Sequence, residues 1–176
     1  MNKIITDFTD IKAGWMNMSV YDYRSNETRQ MRISYLQNFF DDLLMACKFL
    51  LSDITGIYEV YIDQEGFDAT IRLFKYQDYI ISVEIKEDFF EDELHYDGTS
   101  KLEEKVPSEL YYFNVNLNEF VNDIIVLVQK YEKEYNEGFV LAPSQKLDRH
   151  LLKQVKKQLK RKRSLERRNN EKVSNT

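Results

Sequence analysis

The chain is poor in the residues that most reaction centres use. Its 176 residues include 1 cysteine, 2 histidines, 5 glycines and 2 prolines. A lone thiol excludes an intramolecular disulfide framework and a cysteine-ligated structural zinc site. Every glycine is isolated, which leaves no Walker loop and no dinucleotide loop, and no G-x-S-x-G elbow occurs. Long apolar runs are also missing. A bilayer span needs roughly 20 apolar residues, and the patches at 39–51 and 121–128 are broken by Asp41, Asp42, Lys48 and Asp123. Residues 1–8 lack the apolar region of a signal peptide. With Cys47 set in an apolar helical pattern, a reducing, cytoplasmic setting is expected.

What is present suits a packed core. The chain is 43% hydrophobic and 14% aromatic, which excludes wholesale disorder. Its net charge of −5 hides a division along the chain. From Lys146 onward there are 12 Lys+Arg and 3 Asp+Glu, net +9; the first 145 residues carry 13 and 27, net −14. The expected organisation is an acidic domain over 1–142, followed by a basic helix and disordered tail over 143–176.

Hydrophobic periodicity supplies the elements. Ile4, Thr6 and Phe8 alternate, and in the next stretch Met16, Met18 and Val20 oppose Trp15, Asn17, Ser19 and Tyr21. The polar run 24–32 reads as a loop or hairpin arm. Ser34 and Gln37 have capping-box spacing, so a helix is predicted from Ser34 to about Ser52 that buries Leu36, Phe40, Leu43, Leu44 and Cys47. Strands follow at 57–63, 69–76 and 79–87, an antiparallel meander with one wetted face. After a further strand at 110–115, Asn116 with Glu119 signals a second helix carrying Leu117, Phe120, Val121, Ile124 and Tyr131. A third helix, capped by Ser144, is predicted to about Arg168. Its Leu147, Leu151, Val155 and Leu159 would dock the first turns and leave the basic end in water. The fold class is therefore α+β: one antiparallel sheet of about five or six strands with two amphipathic helices on it, plus a basic C-terminal helix.

Candidate chemistry is sparse. Cys47 lies on an apolar helical face with nothing nearby in sequence to lower its pKa, and reads as a core thiol. His150 reads as a solvated helical histidine. His95 lies among Asp92, Glu93 and Asp97, which could ligate a divalent cation, but it lacks the paired ligand spacing of metal sites. No metal, cofactor or catalytic residue is expected.

Two charged segments remain. Residues 84–104 carry nine acids and two bases, with aromatics interleaved. Glu87, Asp88, Glu91, Asp92, Glu93 and Asp97 would steer a basic partner, while Phe89, Phe90 and Tyr96 would fill its pockets. The bland alternative is a solubilising loop. In the tail, Lys156, Lys157, Lys160, Arg161, Lys162 and Arg163 could contact phosphates. No aromatics accompany them, so sequence-specific nucleic-acid recognition is not supported. They could equally face an anionic membrane, the chain's own acidic domain or water.

The order strand, helix (ISYLQNFFDDLLMACKFLL), meander (YEVYIDQEGFDATIRLFKYQDYIISVEI), acidic stretch, strand and helix (FNVNLNEFVNDIIVLVQKYEKEY) resembles small bacterial immunity proteins of polymorphic or contact-dependent toxin systems. The similarity covers about residues 15–136 and lies in pattern and composition. The resemblance implies a non-catalytic inhibitor that occludes a basic toxin domain, such as a nuclease, with acidic and aromatic side chains. The alternatives are a nucleic-acid- or ribosome-associated accessory protein using the basic helix, or a phage-type inhibitor that mimics nucleic acid.

Overall fold

The computed structural model describes residues 3–23, 25–63, 68–77, 79–88, 110–141 and 145–173. It is α+β, with seven antiparallel strands in two sheets and three α-helices among the described residues. The first sheet has the order β1 (Ile5–Lys12), β2 (Trp15–Asp22), β3 (Glu27–Ser34). Helix α1 (Phe39–Leu51) follows. The second sheet is a meander of β4 (Gly56–Asp63), β5 (Asp68–Lys75), β6 (Ile80–Asp88) and β7 (Leu110–Asn116). Helix α2 (Leu117–Glu134), a π-helical turn (Tyr135–Phe139) and α3 (Arg149–Val173) complete the chain.

The single expected sheet is thus two sheets of three and four strands. The polar run 24–32 is mostly strand: in β3 only Met31, Ile33 and Ser34 face the core, and the charged remainder suits an edge. No β3–β4 ladder is formed; at the end of β4 a side chain pairs with the strand's free edge instead. Gln37 Nε2 donates to the Tyr61 carbonyl at 2.6 Å, and its Oε1 accepts from the Asp63 N–H at 2.6 Å. That same contact moves the start of α1. Ser34 stays in β3 opposite Trp15, Leu36 is exposed, and the helix begins after Asn38.

Tight local geometry sets the first hairpin. Ala13 and Gly14 both have positive φ, as a two-residue type I′ turn requires between Lys12 and Trp15. A Cβ on Gly14 would also stand 2.7 Å from the Tyr35 ring. The predicted caps fare differently. Asn116 Oδ1 accepts from the Glu119 N–H at 3.1 Å, as expected. For α3, however, the cap is Asp148, which accepts from the His150 and Leu151 N–H groups at 2.7 and 3.2 Å. Ser144 lies outside the described residues. The helix also continues to Val173, through residues expected to be disordered.

One core joins both sheets and all three helices. It takes Phe8, Met16 and Met18 from the first sheet, Val60, Ile71 and Val83 from the second, and Phe40, Leu44, Val121 and Ile124 from α1 and α2. Leu147, Leu151, Leu152, Val155 and Leu159 belong to it too. α3 therefore docks its first turns, as far as Leu159, against α1 and α2. Cys47 is fully buried, and burial pushes its thiol pKa up.

Candidate interaction surface

The alternation of β4–β7 divides their residues between a core face and an open face. Val60, Ile62, Ala69, Ile71, Leu73, Ile81, Val83 and Ile85 point inward and are buried. The other set forms cross-strand rows. Ile57 stands opposite Phe74, and Phe74 opposite Ser82; Glu59 stands opposite Arg72, and Arg72 opposite Glu84. Tyr61 stands opposite Thr70, and Thr70 opposite Lys86.

An ion row crosses the middle of this face. The Arg72 guanidinium donates to Glu59 Oε1 at 2.7 Å and to Glu84 Oε1 at 3.1 Å, and the bond to Glu59 chiefly raises its pKa. On one side of the row lies an exposed apolar group. Tyr76 is 67% exposed, Ile57 56% and Ile80 55%, and Tyr76 stacks on Phe74 with centroids 6.2 Å apart. Tyr61, 52% exposed, flanks the row on its other side. Isolated surface hydrophobics need no explanation, but a contiguous set with polar borders is the usual form of a docking surface. Arg72 is paired with two carboxylates, so the row keeps one surplus negative charge that a cationic partner would meet.

The sequence-predicted partner residues lie at the opposite end of this sheet or outside the description. Glu87 and Asp88 are the last two residues of β6, paired in register with Ala69 and Asp68. Phe89, Phe90, Glu91, Asp92, Glu93, Tyr96 and Asp97 lie outside the described residues, as does His95. Sequence reasoning missed Ile57, Phe74, Tyr76 and Ile80. The signal was present: β4 and β6 carry large apolar residues in both alternating sets, which a strand with one wet face does not need.

The basic set is on α3 but does not share one face. Lys156, Lys160 and Arg163 line a groove against α2, whereas Arg161 and Lys162 line another beside Ser52, Asp53 and Tyr79. Lys157 is exposed. Arg163 Nη2 donates to the Asn118 carbonyl at 3.2 Å, and the Asn118 amide donates to both Glu166 oxygens. His150 is exposed and lies 2.7 Å from Gln154 Nε2. Among the described residues no group of three or more His, Cys, Asp or Glu side chains is placed to hold a metal ion. No described helix is long and apolar enough to cross a membrane.

No protein-family model matches the chain, and no curated protein and no solved structure matches it.

Proposed function

We propose that this chain is a non-catalytic binding protein, an inhibitor of the immunity-protein kind, that docks a basic toxin domain on the open face of β4–β7. The observation that carries this reading is the exposed group Ile57, Tyr76 and Ile80 beside the Glu59–Arg72–Glu84 row. Apolar anchors with a polar border match the anatomy of protein interfaces. The acid-rich stretch 84–104 continues from β6, and its charge would speed encounter with a cationic partner. Mechanism in this reading is occlusion: the partner's working surface is covered, and no bond is made or broken.

The test pairs the purified chain with the product of the gene next to its own. A one-to-one complex that suppresses that protein's activity is expected. Tyr76→Ala and Ile80→Ala should each weaken it roughly 10- to 100-fold, as central anchors do. Absence of any complex with the unaltered chain sinks the reading.

A further inference from the structure

The helical side of the molecule carries a second surface of opposite charge. Helices α2 and α3 leave a groove of about 450 Å³ between them. Its rim is Lys156, Lys160, Arg163 and Arg167, positions that recur every three or four residues and so fall on one side of α3. No acid lines this groove: the α2 wall offers Asn122 and Gln129. Lys156, Lys160 and Arg167 form no ion pair among the described residues. Gln129 also lines the adjoining groove, where Glu132 and Glu137 stand among Lys133, Lys146 and Arg149, so the acid-free basic rim is confined to the α2–α3 groove.

The floor is apolar. Val126 is 47% exposed, and Ile125 and Leu159 lie beneath it at 5% each. That floor decides between two classes of anionic partner. A nucleic-acid backbone offers hydrated phosphates and nothing to rest on Val126, and single strands are held by stacking on aromatic rings. No aromatic lines this groove. An acidic amphipathic helix satisfies both features. Its apolar stripe covers the floor, and carboxylates spaced three and four apart repeat along its axis with the same rise as the cations of α3.

The geometry points to the α2–α3 groove as a docking site for an acidic amphipathic helix of a protein partner. This is independent of the sheet face and makes the chain two-sided, with one surface for a basic partner and one for an acidic one. Charge complementarity supplies orientation, and exposed Val126 with the aliphatic stems of the rim lysines supplies the apolar area removed from water.

The test uses the full chain and three fluorescent probes read by anisotropy. One is an amphipathic peptide of about 18 residues with leucines on one helical face and glutamates elsewhere. The second has the same composition with the leucines scattered, and the third is a single-stranded oligothymidine. The amphipathic peptide is expected to bind at least about tenfold more tightly than the other two. Lys160→Glu and Val126→Glu should each weaken it by a similar factor. Both side chains are exposed, so neither change disturbs the core. Equal binding of the scattered peptide, tighter binding of the oligothymidine, indifference to Val126→Glu, or no binding of the amphipathic peptide each overturns the proposal.

Discussion

The Tyr135 ring lies flat on Phe40, with centroids 4.1 Å apart and planes 9° from parallel. The pair joins the π-helical turn to the first turn of α1 across 95 residues of chain. The Tyr135 hydroxyl donates to Asn38 Oδ1 at 3.0 Å and accepts from the Phe40 N–H at 3.5 Å. Asn38 makes no side-chain cap bond to its own helix, so this phenol takes part of that role. Burial holds the phenol protonated by pushing its pKa up.

Removing the hydroxyl and removing the ring should therefore separate cleanly. Tyr135→Phe keeps the stack and strands the Phe40 N–H, which should cost about 1–2 kcal/mol. Tyr135→Ala opens a cavity against Phe40 and Phe139 and should cost about 3–5 kcal/mol. Urea denaturation measures both; equal losses would show that the stack contributes nothing.

Gln37 predicts a local effect. Its amide substitutes for one residue of a neighbouring strand at the edge of β4. Gln37→Ala should expose the Asp63 N–H to water and cost about 1 kcal/mol. Amide hydrogen exchange should quicken at Asp63 and stay unchanged at Val60, whose side chain lies in the core. Unchanged exchange at Asp63 would mean that the edge is held by something else.

This residue also shows where the sequence could be read and where it could not. The S-x-x-Q spacing of Ser34 and Gln37 fits a capping box, and local pattern favours that reading. The pairing actually made is with residues 24 and 26 positions further on, and no local rule carries it. The same holds for the two sheets: the periodicity of most strands is legible, the polar first half of β3 excepted, but which edges meet depends on contacts distant in sequence. Helix α2 was legible through Asn116 and its stripe because cap and core signals there are both local. On the open face, the strand at 57–63 that carries Ile57 and Tyr61 was legible. The grouping of Ile57 with Phe74, Tyr76 and Ile80 needed the register of three strands.

Titration should act in two directions. Burial raises the pKa of Asp41, Asp42 and Asp123, and the neighbouring Asp41 charge adds to the effect on Asp42. Such a group binds its proton more tightly folded than unfolded. Stability therefore falls as pH rises from the ordinary carboxylate value through the raised one. Asp7 is the reverse: the bond from the Tyr131 hydroxyl chiefly lowers its pKa. Its contribution is present above the ordinary value and lost as pH falls towards the lowered one. Urea midpoints should thus rise on mild acidification and drop at stronger acidity. Asp42→Asn should flatten the first slope and Tyr131→Phe the second. A slope unchanged in Asp42→Asn would remove Asp42 as a source.

Gly138 sits where the π-helical turn meets the first hairpin. Its carbonyl accepts from the Gly14 N–H at 3.0 Å, and a Cβ added there would lie 2.5 Å from the Ile11 carbonyl oxygen. Both neighbours are backbone and cannot swing aside. Gly138→Ala should force the turn off the hairpin and cost about 1–3 kcal/mol, seen as a lowered melting temperature. An unchanged melting temperature would show that the turn moves freely there.

The charge boundary near residue 143 and the limits of the folding unit are expected to differ. Helix α3 buries Leu151, Leu152, Val155 and Leu159 against α1 and α2, and Leu147 precedes it in the same core. Full burial of such a side chain stabilises by roughly 1.5–3 kcal/mol, and a whole domain is stable by only about 5–15 kcal/mol. Removing residues 143–176 should therefore leave an acidic remainder that binds hydrophobic dyes and unfolds without a sharp transition. Val155→Ala, at a site with no exposure, should cost about 1–3 kcal/mol, whereas Leu165→Ala, at 49% exposure, should cost almost nothing. A truncated chain that melts as sharply as the whole would make the acidic part a domain in its own right. Otherwise, loss of binding on truncation reports unfolding, and only charge reversal at exposed positions such as Lys156 and Lys160 tests what the basic strip contacts.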